Sequence, residues 1–284
     1  MASDVFFLPV SGEERTSVIQ TEIARLIERA GLKRCVGKND LTALKIHFGD
    51  EKNTNYIKPA WTRPVVDAVK SRDGKPFLTD TTVLYKSKRD NAPEHQMLAW
   101  GHGFKQEKTG APVIIGDGLV GGSEVEVEIS GEIYSRVEIA ETAVRSNSMI
   151  ILTHVTGHIG TAMGAALKNL GMGFASRKGK LRQHSAMNPA VREKYCTDCG
   201  ECIKWCPVDA ITSAEGHAVI DQQVCIGCGE CITMCRFGAI SHDWKIDADE
   251  LQKRIAEHAL GAVSGKEGKV GYLNFRKKAE ACSA

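Results

Sequence analysis

Apolar positions recur along the chain with two periods that alternate. Between Thr16 and Ala30 they fall at Val18, Ile19, Ile23, Leu26, Ile27 and Ala30, the spacing of an amphipathic helix, with Gly31 as a stop. Leu41–Ile46 is a short, largely apolar run that predicts a strand. The alternation continues with a helix over Pro64–Lys70, a strand over Pro76–Thr79, a helix over Ala92–Trp100 and a strand over Pro112–Ile115. Glu124–Ile129 alternates acidic and branched residues and, with Ile133–Ile139, predicts a hairpin with one wet face. Met149–Leu152 predicts a buried strand, and Thr161–Leu170 a helix ended by Gly171. Such alternation predicts an α/β domain over residues 1–188, layered around a largely parallel sheet.

The pattern changes after residue 188, where the cysteines gather. Eight of the ten lie between positions 196 and 235, leaving Cys35 and Cys282 isolated. Cys196, Cys199, Cys202 and Cys206, followed by Pro207, read C-x2-C-x2-C-x3-C-P. Cys225, Cys228, Cys231 and Cys235 repeat the spacing 29 residues later, and Ala210-Ile211 recurs as Ala239-Ile240 at the same offset. Three thiolates at three-residue spacing wrap one face of an iron–sulfur cube, and the fourth serves the other cluster in the two-cluster arrangement. On that reading Cys196, Cys199, Cys202 and Cys235 hold one [4Fe-4S] cluster, and Cys225, Cys228, Cys231 and Cys206 hold the second. Zinc is the competing reading of paired CxxC motifs, and the tandem quartets disfavour it. Residues 189–246 resemble the bacterial-type two-cluster ferredoxins. The resemblance implies a small α+β module that passes single electrons at low potential. Arg236 stands where the first run has Pro207.

Charge and composition narrow the class. A formal net charge of +2 excludes general nucleic-acid binding, and no apolar run is long enough for a membrane span. The first residues, Met-Ala-Ser-Asp, carry no export signal, so a cytoplasmic location is expected and a disulfide framework is not. Neither a GxGxxG strand–helix junction nor a GxxxxGK[ST] loop occurs.

Several predicted strands finish on reactive side chains: His47, Asp80, Asp117 and His154. Ligand crevices of open α/β sheets lie beyond the carboxyl ends of the strands, so these four and His158 are the candidate catalytic residues. The competing explanation is that Asp and Gly simply make turns there. His154 and His158, with His47, Asp80 or Asp117, are also candidates for a divalent metal or for acid–base work. From Thr142 to Arg192 there is no acidic residue, and the stretch is rich in glycine and in cations. Lys168, Arg177, Lys178 and Lys180 are the candidates for holding an anionic small molecule or cofactor. The start of the 161–170 helix would offer further donors. The same cations would equally suit a face that receives the acidic cysteine module. A flavin would suit the conversion of electron pairs to single electrons, although no pattern specifies one.

Lys45-Ile-His-Phe-Gly-Asp-Glu51, Thr79–Tyr85, Gly116-Asp-Gly118 and the run from Thr153 to Gly173 together resemble the family catalogued as domain of unknown function number 362. Its members are described as iron–sulfur cluster-binding proteins and commonly carry a ferredoxin module on the C-terminal side. After the cysteines, Asp247–Leu260 predicts a helix and Val270–Phe275 a strand returning to the first domain within a third segment, 247–284. The expected function is an electron relay through two clusters, to or from a redox protein partner or a small-molecule site on the α/β domain. A lyase or isomerase with structural clusters, and a carrier with no active site, are the alternatives.

Overall fold

A computed structural model of the chain describes residues 4–10, 14–51, 55–158, 161–184, 189–225, 229–241 and 248–276. Helix α1 (Thr16–Arg29) turns Ile19, Ile23 and Ile27 inward and leads to strand β1 (Leu41–Ile46). Helix α2 (Pro59–Lys70) begins five residues before the predicted start, since Pro59 occupies the first turn, where a missing N–H costs nothing. Pro64 therefore lies inside the helix and leaves the Ala60 carbonyl without its usual donor. Gln20 Nε2 on α1 supplies one, at 2.7 Å. Strand β2 (Lys75–Asp80), helices α3 (Ala92–Gly101) and α4 (Gln106–Thr109) and strand β3 (Val113–Ile115) follow. Next come the hairpin β4 (Glu124–Glu128) and β5 (Arg136–Ala140), helix α5 (Glu141–Arg145) and strand β6 (Ser148–His154).

The chain then departs from its pattern. β7 (Thr156–His158) and β8 (Ala162–Gly164) form an antiparallel hairpin, and only Ala166–Gly171 is helical, as α6. Gly164, inside the predicted helix, disfavours one by about 1 kcal/mol. A side chain at Gly164 would also stand 2.9 Å from Thr156 Oγ1, so the glycine lets the two arms of the hairpin close. Helix α7 (Arg177–His184) was not foreshadowed by any apolar stripe.

Residues 189–241 carry short elements around their own apolar cluster: β9 (Ala190–Val191), α8 (Glu201–Lys204), the hairpin β10 (Ile211–Ala214) and β11 (His217–Ile220), α9 (Glu230–Met234) and β12 (Ile240–Ser241), which pairs with β9. Helix α10 (Ala248–Val263) and strand β13 (Val270–Phe275) return to the larger sheet.

That sheet has five parallel strands in the order β13-β6-β1-β2-β3. Alternate residues feed two cores, so the sheet is covered on both faces. Leu44, Ile46, Ile150 and Leu152 meet α1 and α2 on one side. Ala43, Met149 and Ile151 meet Leu170, Phe174 and the apolar face of α10 on the other. The chain runs outward from β1 through β2 to β3 and then crosses to β6 on the opposite flank. The strand order therefore reverses beside β1, which is where a crevice opens in such sheets.

Candidate functional site

A cavity of about 410 Å³ lies at that reversal, beyond the carboxyl ends of β1, β2 and β6. Its floor is an ion-pair network. Lys45, on the β1 face toward α6, is 1% exposed and donates to Asp80 Oδ1 and Asn169 Oδ1, each at 2.9 Å. Arg89 donates to Asp80 Oδ2 at 3.3 Å and lies 3.5 Å from Asp50 at the rim. Burial alone would raise the Asp80 carboxyl. The Lys45 and Arg89 charges outweigh it and hold the group ionised, far below the usual carboxylate range. Burial pulls the Lys45 ammonium down, with Asp80 opposing. Glycine at 173 is required here, because a Cβ would collide with the Asn169 carbonyl oxygen and stand 2.6 Å from Lys45 Nζ.

Asn169 is fixed in turn by donating to the Leu152 carbonyl and to Thr153 Oγ1, both at 3.0 Å, which ties α6 to the end of β6. Lys180 on α7 donates to Thr81 Oγ1 and the Ala175 carbonyl, each at 2.6 Å. Burial pushes its ammonium down to about 8, against the pull of Asp117. His47 lines the cavity and is exposed to it. Desolvation and then Arg89 push it well below its ordinary value, so it is neutral. Its Nδ1 accepts the Gly49 N–H at 3.0 Å, and His158 Nδ1 accepts the Thr161 N–H at 3.2 Å. In both neutral rings the proton therefore sits on Nε2. His154 and His158 are lowered by partial burial, then by Lys58 and Lys168 respectively.

The cavity thus gathers His47, Asp80, His154, His158, Lys168 and Lys180. Three other candidates stand elsewhere. Asp117 is fully buried behind Thr82, accepting its N–H and its hydroxyl at 2.7–3.0 Å. Arg177 donates to the Asp90 carbonyl at 3.0 Å. Lys178 is 3.4–3.7 Å from Glu124, Glu126 and Glu138, and Arg182 pairs with Glu138 at 2.6 Å. These last two cations serve the β4–β5 hairpin of their own domain rather than the cysteine segment. The expected helix N-terminus at 161 is absent, since that stretch is β8. Sequence reasoning missed Arg89, which sits in a polar run, Ser87-Lys88-Arg89-Asp90, that reads as a surface loop. Lys45 was detectable as a lone cation within an apolar strand.

Among the described residues, no group of three or more His, Cys, Asp or Glu side chains is placed to hold a single metal ion. The cysteines ring two cavities. Cys196, Cys199, Cys202 and Cys235 line one; Cys206, Cys225 and Cys231 line the other. Cys228 and Cys282 lie outside the described residues. The sequence repeat is repeated in the bonding: the N–H of Ala210 donates to Cys206 Sγ and that of Ala239 to Cys235 Sγ, both at 3.2 Å. Gly200 and Gly229, also 29 apart, adopt φ values of 76° and 78° and start α8 and α9. Arg236 is exposed. Leu181 on α7 joins the core of this unit, and Leu84 packs against that core while also lining the larger cavity.

No helix among the described residues is long and apolar enough to cross a membrane. No curated protein matches the chain. Among solved structures, the lactate racemase apoprotein from Thermoanaerobacterium thermosaccharolyticum is similar at 13% identity and a TM-score of 0.49. The match covers 91% of this chain, which spans about half (48%) of that one. The family described as Domain of unknown function (DUF362) matches residues 42–278, from the second residue of β1 to just past β13. The chain belongs to that family.

Proposed function

We propose that this protein is an iron–sulfur oxidoreductase component. It passes single electrons through two [4Fe-4S] clusters between a redox partner and a small molecule in the cavity at the sheet's carboxyl edge. The crossed lining of the two cysteine cavities carries this reading: Cys235 joins the first run's cavity, and Cys206 joins that of the second. Cys196, Cys199, Cys202 and Cys235 would hold one cluster, and Cys225, Cys228, Cys231 and Cys206 the other. Bound clusters would supply one-electron transfer. The N–H groups of Ala210, Ala218 and Ala239 donate to sulfurs at 3.2–3.4 Å, which favours thiolates and adjusts the potential. Ile211, Ile220, Ile232 and Ile240 keep water from the sulfurs.

Leu84 both lines the larger cavity and packs against the core of the cysteine unit, so a ligand in the cavity would sit beside that unit. His47 and His158, each carrying its proton on Nε2, are hydrogen-bond donors to that ligand. A carrier with no site of its own has no use for the buried Lys45–Asp80–Arg89 network. A lyase cluster needs an open iron position, which two complete quartets do not leave.

Anaerobic analysis of the purified chain should approach eight iron and about eight sulfide per polypeptide. Cys206→Ser should impair the cluster held by Cys225 and Cys231 and leave the first-run cluster's electron paramagnetic resonance signal. Two zinc ions per chain, or loss of the first-run signal in that variant, would refute the assignment.

A further inference from the structure

The charges around the large cavity do not balance. Among the described residues, Lys45, Arg89, Lys168 and Lys180 line it, and Asp80 is the one carboxylate that does so. Asp80 is already engaged by both Lys45 and Arg89. Lys180 is held by a hydroxyl and a carbonyl, with Asp117 acting on it from the buried layer behind Thr82. Asp50 meets Arg89 only at the rim. Lys168, projecting from α6, has no carboxylate acting on it among the described residues. Burial lowers its ammonium, and the repulsion of Arg89 and Lys45 lowers it further. In addition, Arg89 Nε is buried without a hydrogen-bond partner. A half-buried cation without a counter-charge and a buried orphaned donor both cost free energy unless a ligand completes them.

The lining also includes the apolar side chains of Ile57, Val83, Leu84, Leu152 and Met172. A cavity of this size lined by both cations and apolar side chains suits a small organic molecule with a charged head.

We infer that the cavity binds a small organic anion with a doubly negative head, either a dicarboxylate or a phosphomonoester, seated between Lys168 and the Lys45–Arg89 floor. The inference rests on reading this cavity as the protein's small-molecule site. Two negative charges would offset the uncompensated cations, whereas a single carboxylate would leave one of them exposed to its neighbours. Lys168 is the principal contact, because it alone of the four cations keeps its ammonium uncommitted among the described residues.

Calorimetric titration of the cluster-loaded chain at constant ionic strength tests this with succinate, inorganic phosphate and acetate as probes. Succinate or phosphate should bind one per chain, about tenfold or more tighter than acetate. The stronger of the two identifies which kind of head is preferred. Lys168→Met should weaken that binding about tenfold or more, and Lys168→Arg should largely restore it. Without anions, the thermal midpoint of Lys168→Met should equal or exceed that of the parent, since a repelled cation has been removed. Equal binding of acetate and both dianions, unchanged affinity in Lys168→Met, or a lowered midpoint in that variant would each overturn the assignment. Should Lys168→Met fold poorly, Lys168→Gln gives the same comparison. Dianion binding by a chain without iron would sink the relay and leave this site standing. Full cluster loading with no dianion preference would do the reverse.

Discussion

Lys45 is a cation placed by strand alternation among apolar neighbours: its face of β1 also carries Ala43, and the adjacent strand presents Met149 and Ile151. Such a charge persists only when paired, and Asp80 pairs it. Lys45→Met should cost about 3 kcal/mol in urea unfolding, because it leaves Asp80 buried with Arg89 alone; a change below about 1 kcal/mol would show that Arg89 suffices. Two other buried groups make stability depend on pH. His95 and His258 are fully buried, and desolvation pushes each down to about 4 from an ordinary 6.5. Between those values the unfolded chain binds more protons than the folded one, so stability rises with pH over that window and falls on acidification through it. Neither ring nitrogen of His95 has a hydrogen-bond partner among the described residues. His95→Leu should therefore flatten the dependence of the unfolding midpoint between about pH 6.5 and 4. An unchanged slope would remove His95 from the account.

At the scale of elements, α10 and β13 belong to the larger sheet although they follow the cysteines. β13 pairs with β6 from Val270–Met149 to Phe275–His154; Leu273 enters the core beside α1 and α2, and Phe275 stacks on Trp61. Removing residues from Gly268 onward should lower the thermal midpoint of the α/β domain by several degrees, followed by near-ultraviolet circular dichroism, because β6 would lose one of its two partners. An unaltered transition would show β13 to be dispensable. The five sheet strands were legible in the sequence, since each is a short, largely apolar run; β1, β2 and β6 are buried on both faces, whereas the edge strands β3 and β13 expose Ile114 and Tyr272. Helix α7 was not: its residues, Arg177 to His184, are charged or polar except Leu181 and Gly179, and show no apolar stripe. It is buried because Lys180, Gln183 and Arg182 find partners in Thr81, Gly171 and Glu138. In the glycine-rich block, Gly171 admits the backbone of α10 at Ile255, Gly173 admits the Asn169 carbonyl and Lys45, and Gly179 admits the Glu138 carbonyl, while Gly164 and Gly173 also line the cavity. A single sequence gives no sign of which neighbour a glycine makes room for. The convergence of His47, Asp80 and His154 was legible, because strand ends of a parallel sheet share one edge. Arg89 was not, because loops carry no period.

Across the whole molecule, the cysteine unit is docked through Leu181. Gly229, at the start of α9, adopts φ 78°, and any side chain there would collide with the Leu181 Cδ2 methyl. Gly229→Ala should therefore loosen the unit and, under the proposed cluster assignment, lower iron retention in the second-run cavity, read as faster loss of visible absorbance to a chelator. Retention equal to the parent would mean that this docking does not matter. The topology has a further consequence, in time rather than in space. Val270 pairs with Met149 roughly 120 residues earlier, so the loop-closure entropy of the whole intervening stretch must be met before that edge is sealed. During synthesis the β6 edge stays open while the entire cysteine segment leaves the ribosome. The sheet reaches its final width only after every described cysteine from 196 to 235 is already available for ligation.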